Sequence, residues 1–225
     1  MREGKNMATL LAQNSKIANS GNSTIVVYNF GIPAFKTKSG FKTCPMAGIC
    51  AGACYAQSGT FNYPNVVNAY EWRFNMTQSD KFIEEMSKEI VKALNKHQGK
   101  KLMIRIHDSG DFYSLEYFLR WARIMQQFPQ VKFYAYTKMV EMFKAIKTDI
   151  PSNFILIYSF GGLQDHLIDR SKDRHSFVFA DAMELKRSKY IDASKNDLLA
   201  TGKNHRIGLV YHHPKKFENT GWSKL

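Results

Sequence analysis

The sequence has few cysteines and no long apolar run, and each shortage excludes a class of protein. Three cysteines in 225 residues are too few for the paired disulfide framework of a small secreted domain. No stretch approaches the ~20 consecutive apolar residues of a membrane-spanning helix, and the first residues carry no apolar signal core. We therefore expect no membrane contact and a location in a reducing cytoplasm, where thiols stay free to bind metal.

Negative charge is also scarce. The chain has 19 acidic residues against 32 Lys and Arg, which gives a formal net charge of +13. The basic residues are spread along the chain and do not form a single tail. A field of this sign favours polyanions, so nucleic acid or a phosphorylated substrate is a candidate partner. The alternative is that the lysines only keep the surface soluble.

The apolar content is that of a folded domain, with 44% hydrophobic and 13% aromatic residues. We predict a flexible N-terminal arm over residues 1–22, a single α/β domain over 23–214 and a polar C-terminal tail over 215–225. Within the domain, short and nearly continuous apolar runs alternate with helical or polar segments, which is typical of parallel strands covered on both faces. The predicted strands are 24–30, 102–107, 131–136, 154–158, 176–180 and 206–211.

Strands joined by right-handed crossovers allow either an open doubly wound sheet or a full or partial barrel. In each of these folds the functional groups gather at the carboxyl ends of the strands. Polar or glycine-rich residues follow every predicted strand, so we expect a cleft at that edge of the sheet. The segments concerned are the cysteine loop 44–54, then 107–111, 136–138, 159–162, Asp181 and 212–213.

The cysteine loop holds every cysteine of the chain, with Cys44, Cys50 and Cys54 separated by five and then three residues. Thiolates so close together repel one another, and a soft, positively charged metal centre removes that penalty. The spacing is wider than the Cys-x2-Cys of many structural zinc sites. Our leading hypothesis is a [4Fe-4S] cluster with three cysteine ligands and one iron open to a non-protein ligand.

Other interpretations stay open. Three cysteines and one histidine would hold zinc, and a zinc-bound water would then make the protein a hydrolase or nuclease with His107, Asp108 or His212 as the base. A non-enzymatic iron-sulfur electron carrier, or a redox-sensing nucleic-acid binder, would use the same three cysteines. A disulfide with one odd thiol, or cysteines that bind nothing, are the remaining alternatives.

Three motifs resemble those of a phage-encoded family known as gene product 88. They are Cys-Pro-x-Ala…Cys…Cys-Tyr-Ala over residues 44–56, Arg-Ile-His-x-Ser-Gly-Asp-Phe-Tyr over 105–113 and Phe-Tyr-Ala-Tyr-Thr-Lys over 133–138. The resemblance implies a viral or prophage origin, and hence the host cell cytoplasm, but it implies no reaction.

The layout also resembles that of the radical S-adenosylmethionine enzymes, in which a three-cysteine loop follows the first strand of a six-stranded partial barrel. This resemblance implies a partial (βα)6 barrel, a [4Fe-4S] cluster, S-adenosylmethionine and an electron donor protein. Ser109, Gly110 and Asp111 stand where that family binds the amine of the cofactor. By position, the residues near the rest of the cofactor would be Lys138, Ser159 and Asp181.

Overall fold

A computed structural model describes residues 8–211, 217–218 and 220–224. The described residues form one sheet of seven parallel strands in the order β1-β2-β3-β4-β5-β7-β6, and the sheet curls into a half-barrel. The strands are β1 Ile25–Phe30, β2 Lys101–Ile106, β3 Lys132–Thr137, β4 Phe154–Ser159, β5 His175–Phe179, β6 Ile191–Asp192 and β7 Arg206–Val210.

The first five strands lie side by side in chain order, as in a barrel built from repeated crossovers of one hand. The prediction of a partial barrel is therefore confirmed as an α/β half-barrel, although the sheet has seven strands where six were predicted. The doubly wound alternative, which requires the strand order to reverse midway across the sheet, is wrong. All six predicted strands are present within one residue of their predicted bounds. The structure adds β6, which pairs with β7 through Ile191 and Ile207, because a strand of two residues leaves no apolar run to detect.

The longer helices cover the outer face of the half-barrel. In the helix Phe82–Lys96, the side chains of Phe82, Met86 and Ile90 recur at helical spacing and are fully buried. Ser114 caps the helix Leu115–Gln127, since its hydroxyl accepts from the Tyr117 amide at 3.1 Å. The helices are α1 Ser15–Ser20, α2 Cys50–Ala53, α3 Pro64–Gln78, α4 Phe82–Lys96, α5 Leu115–Gln127, α6 Val140–Ala145 and α7 Ala182–Arg187.

Successive strand residues point to opposite faces of the sheet. On β2, Ile104 and its alternate neighbours join the large core beneath the outer helices. Met103 instead packs on the inner face, in a second cluster with Ile17 of α1 and Leu198. The inner face is therefore partly filled by α1 and by the segment that contains Leu198. No helix among the described residues is both long and apolar enough to cross a membrane.

The N-terminal segment differs from the flexible arm that the sequence predicted. Leu10 and Leu11 are buried in the outer core, and their amides donate to the two carboxylate oxygens of Glu89, both at 2.7 Å. Ala12 then pairs antiparallel with Asn29 at the edge of β1. These backbone groups bond to α4 and β1, so residues 8–12 form no helix, and α1 begins only at Ser15.

The described part of the predicted C-terminal tail is also packed. Phe217 and Trp222 are buried, and Gly221–Lys224 forms a 3-10 turn. The sequence does not predict this packing, because two isolated aromatic residues among polar ones show no periodicity. His212 and His213, predicted at a strand end, lie outside the described residues.

Candidate functional site

The cysteine loop crosses the carboxyl edge of the half-barrel from β1 to the end of β4. The amides of Gly48 and Cys50 donate to the Gly161 carbonyl at 3.2 and 3.1 Å. The Leu163 amide donates to the Met46 carbonyl at 2.9 Å. These three bonds hold residues 46–50 of the loop against the segment that follows β4.

Two glycines after β4 make this contact possible. Gly161 has a φ of +92°, and a Cβ at this position would collide with the Trp222 ring. A Cβ on Gly162 would lie 3.0 Å from the Met46 carbonyl oxygen. The glycine pair predicted at this strand end therefore serves the approach of the cysteine loop and of the C-terminal segment.

The three cysteines are free thiols of intermediate exposure. The short helix α2 places Cys50 and Cys54 one turn apart, and their sulfurs share a hydrogen bond. This bond lowers the pKa of Cys50 to about 6. The positive charge of Lys138 also lowers this pKa, whereas burial opposes the shift. The same bond, with burial, raises the pKa of Cys54, and burial raises that of Cys44 to about 12. Cys50 is thus the cysteine most readily ionised near neutral pH.

The sulfurs are near one another without forming a ready-made site for a single ion. Within the described residues, no group of three or more His, Cys, Asp or Glu side chains is placed to hold a metal ion. Cys44 is close enough for its charge to act on Cys54 but does not join the Cys50–Cys54 contact. On tetrahedral zinc, Zn–S bonds of ~2.3 Å put the ligating sulfurs about 3.8 Å apart. A four-iron cluster is larger and needs a wider spacing of its cysteines.

Asp111, predicted to bind an amine, is buried and its carboxylate is bonded within the protein. Oδ1 accepts from the Thr137 hydroxyl at 2.6 Å and the Phe112 amide at 2.7 Å, and Oδ2 accepts from the Lys138 amide at 2.8 Å. Burial raises the pKa of Asp111 to about 6, although these donors oppose the shift. The Asp111 amide also donates to the Thr43 carbonyl at 3.1 Å. The residue thereby joins the ends of β2 and β3 to the start of the cysteine loop.

Ser109 and Gly110 pack the turn after β2 against the loop after β1. The Ser109 carbonyl accepts from the Ile32 amide at 3.0 Å. Gly110 has a φ of +84°, and a Cβ there would collide with the Ile32 side chain. The motif of Ser109, Gly110 and Asp111 therefore positions the cysteine loop in this structure.

Lys138 and Ser159, both predicted near the cofactor, are in contact with each other at the carboxyl edge. Lys138 Nζ donates to the Ser159 hydroxyl at 2.9 Å and to the carbonyls of Ser159 and Phe160 at 3.2 and 2.9 Å. The Trp222 ring centroid lies 5.8 Å from the ammonium. Asp181 is exposed and caps α7, because its carboxylate accepts from the amides that follow at 2.7 and 2.8 Å. No described contact joins it to the cysteine loop.

His107 and Asp108, the predicted bases of a zinc hydrolase, are both buried. His107 has a φ of +66°, its Nε2 lies 2.9 Å from the Tyr117 hydroxyl, and burial lowers its pKa to about 3. The Asp108 carboxylate accepts from the Asn29 amide at 2.6 Å and the Tyr70 hydroxyl at 3.1 Å. Burial raises the pKa of Asp108. The Asp108 carboxylate is thus bonded within the protein, whereas His107 is held through Nε2 and its buried Nδ1 has no hydrogen-bond partner among the described residues.

One polar cluster on the inner face was not predicted as a unit. Arg105 Nη1 contacts Asp197 Oδ2 at 2.8 Å, and Lys16 Nζ contacts Oδ1 of the same carboxylate at 2.6 Å. The Tyr134 hydroxyl also donates to Asp197, at 3.0 Å. The opposite charges of Arg105 and Asp197 hold the Arg105 pKa above its usual range despite burial. No sequence signal pairs Arg105 with Asp197, because a single aspartate in an irregular polar segment carries no pattern.

Comparisons with known proteins place the chain in a family. The model of the family described as gene product 88 matches residues 3–221. The gene 88 protein of Mycobacterium phage D29 is 31% identical over 151 residues, which cover 64% of this chain and 61% of the relative. That of Mycobacterium phage L5 is 32% identical over 131 residues, which cover 55% and 53%. The chain thus matches about half to three-fifths of the length of these relatives.

No solved structure matches the chain. The resemblance to radical S-adenosylmethionine enzymes gains no support from these comparisons and stays a prediction. Both relatives are phage proteins, which supports a bacteriophage origin. Because the family model covers nearly the whole chain, the protein belongs to the gene product 88 family.

Proposed function

We propose that this protein binds a [4Fe-4S] cluster through Cys44, Cys50 and Cys54. One observation carries the proposal: the three thiols, all the cysteines of the chain, lie half-buried on a loop across the carboxyl edge of a parallel half-barrel. Lys138 beside Cys50 favours the thiolate that a soft metal centre needs.

The donor set fits an iron-sulfur cluster better than zinc. A [4Fe-4S] cluster with one open iron takes three thiolates, which is the number of cysteines in the chain. Three thiolates on one zinc also donate much charge, which weakens zinc as an activator of water. The bases that such a hydrolase would need, His107 and Asp108, are bonded within the protein.

We further propose an enzyme of the radical S-adenosylmethionine type, acting on an unknown substrate and served by an electron donor protein. When bound, a three-cysteine cluster supplies an open iron for S-adenosylmethionine and the electron for its reductive cleavage. The protein would supply the rest. Asp111 fixes the strand ends beneath the loop, Lys138 holds a positive charge beside Cys50, and the inner face offers polar side chains to a substrate.

A second function is favoured by a specific observation. The carboxylate of Asp111 and the ammonium of Lys138, both predicted to touch the cofactor, are already bonded to protein groups. A non-enzymatic electron carrier or redox sensor needs the cluster but not these contacts. The two functions differ in one result, since only the enzyme consumes S-adenosylmethionine.

Metal analysis tests the cluster. We expect protein purified and reconstituted without oxygen to be brown and to hold about four iron and four sulfide per chain. The variants C44A, C50A and C54A should each lose most of the iron. Thr60→Ala, at an exposed position just beyond the same loop, is the matched control and should keep it. Colourless protein that holds zinc, or no metal, would refute the cluster.

A cleavage assay with a strong chemical reductant separates the enzyme from the carrier. The enzyme predicts that deoxyadenosine and methionine appear together, and that neither forms with C50A. A full cluster without either product would leave the electron carrier or redox sensor.

A further inference from the structure

Two polar side chains on the inner face lie below the cysteine loop and retain unused hydrogen-bonding groups. Arg105 on β2 is nine-tenths buried, and its guanidinium carbon lies 4.9 Å from the centroid of the Tyr136 ring on β3. The side chains are therefore neighbours on adjacent strands, near the carboxyl edge of the sheet.

The guanidinium of Arg105 is used along one side only. Its Nη1 contacts Asp197 at 2.8 Å, whereas its buried Nε has no partner among the described residues. The edge formed by Nε and Nη2 is the fork with which arginine grips a carboxylate or phosphate through two parallel hydrogen bonds. This edge makes no described hydrogen bond.

The hydroxyl of the neighbouring Tyr136 also lacks a described hydrogen bond. Tyr136 Oη is buried and has no partner in the described part of the chain. An unpaired buried donor costs about 1–3 kcal/mol, so buried polar groups in native proteins are nearly always paired. Two such donors on neighbouring side chains indicate an acceptor that the described part of the chain does not supply.

The nearby carboxylates do not fill this role. Asp197 is shared by Lys16 and the opposite side of Arg105. Asp108 is close enough for its charge to act on Arg105, but its oxygens accept from Asn14, Asn29 and Tyr70. Neither contacts the free edge of Arg105.

We propose that the Nε edge of Arg105 and the hydroxyl of Tyr136 bind an oxyanion, the carboxylate or phosphate group of a small ligand, on the inner face of the half-barrel. The site goes beyond the proposed cluster, because its residues are not cluster ligands and are in place without metal. If the protein is an enzyme, the substrate would carry this anionic group within reach of the cysteine loop.

The test uses the full chain as purified, before any cluster is reconstituted. Its Tm is measured against rising inorganic phosphate and, separately, acetate, with ionic strength held constant by chloride. We expect the Tm to rise with at least one anion by the binding linkage. A stronger response to phosphate would identify a phosphate group as the ligand, and a stronger response to acetate a carboxylate.

Tyr136→Phe is the decisive variant, because it removes only a hydroxyl that has no described partner and should leave the fold intact. We expect this variant to bind the anion about tenfold more weakly, because it loses one hydrogen bond to a charged group. R105K keeps the charge but not the fork and should lose nearly all of the response. Tyr63→Phe, at an exposed tyrosine, is the matched control and should bind as the wild type.

The proposal is overturned if neither anion raises the Tm more than chloride does. It is equally overturned if Y136F and R105K both bind as the wild type, since the anion would then lie elsewhere. Metal content plays no part in these readouts, so a failure here is distinct from a failure of the cluster.

Discussion

The outer and inner faces of the half-barrel are held together by different interactions. On the outer face, aromatic and aliphatic side chains of α4 and α5 pack on the strands, with Phe30, Phe82 and Trp121 in mutual contact. At the carboxyl edge and on the inner face, buried polar groups such as Asp111 and Asp197 are bonded to residues distant in the sequence. Apolar packing thus dominates the outer face, whereas the candidate functional groups lie on the inner face and at the carboxyl edge, where they also hold the structure together.

The largest expected effect is on the outer face. Trp121→Ala removes a fully buried ring that contacts Phe30 and Phe82 at centroid distances of 5.2 and 5.3 Å. We expect it to lower the free energy of unfolding by about 3–5 kcal/mol, as measured by urea denaturation. Leu119→Ala, exposed on the same helix, should stay within about 0.5 kcal/mol of the wild type. Equal effects of the two variants would contradict the outer-face packing.

A smaller loss is expected from Asp111→Asn at the carboxyl edge. Both carboxylate oxygens of Asp111 accept hydrogen bonds, and Asn replaces one of them with an NH2 group. That NH2 group would face a protein donor, so at least one buried hydrogen bond is lost. We expect a loss of about 2–4 kcal/mol in urea denaturation. Asp181→Asn is the matched control, because Asn caps a helix about as well as Asp. If D111N proves as stable as the wild type, the carboxylate is free for a ligand and its role here is wrong.

His107 makes stability depend on pH. Its pKa in the folded protein is about 3, below its usual value of 6.5. Between these values the unfolded chain binds a proton that the folded protein excludes, so stability falls as the pH falls, by up to about 1.4 kcal/mol per pH unit. Above pH 6.5 this contribution is constant.

His107→Asn isolates that contribution, since Asn tolerates a positive φ and does not titrate. The difference in unfolding free energy between wild type and variant should shrink as the pH is lowered from 7 to 4.5. A difference that stays constant across this range would show that His107 is not held neutral by burial.

The smallest effect concerns thiol reactivity. Lys138→Met removes the positive charge that helps lower the pKa of Cys50. We expect iodoacetamide to alkylate Cys50 several-fold more slowly at pH 7 in the metal-free variant, as measured by peptide mass spectrometry. Lys144→Met, more exposed on α6, should leave the rate unchanged. An unchanged rate in K138M would mean that the Cys54 contact alone sets the Cys50 pKa.

The two faces also differ in how far the sequence predicts them. Six strands and the main helices were predictable because apolar runs and helical spacing depend only on near neighbours. The cap at Ser114 was predictable for the same reason. Packing of Leu10 and Leu11 was not, since it depends on Glu89 far along the chain.

At the candidate site, the sequence predicted which residues gather but not what each one contacts. The cysteine loop, Asp111, Lys138 and Ser159 do meet, because the carboxyl ends of parallel strands share one edge. Asp181 was predicted beside them, although an aspartate directly before a helix is a usual N-cap. Arg105 and Asp197 meet because the irregular segment that contains Asp197 packs on the inner face next to α1, a contact that no local pattern encodes.

The most direct test of the central claim is the iron and sulfide content of protein purified and reconstituted without oxygen, compared with C50A. We predict about four iron and four sulfide per wild-type chain and little of either in the variant. A wild-type protein that stays colourless and free of iron, or a variant that holds as much iron as the wild type, would contradict it.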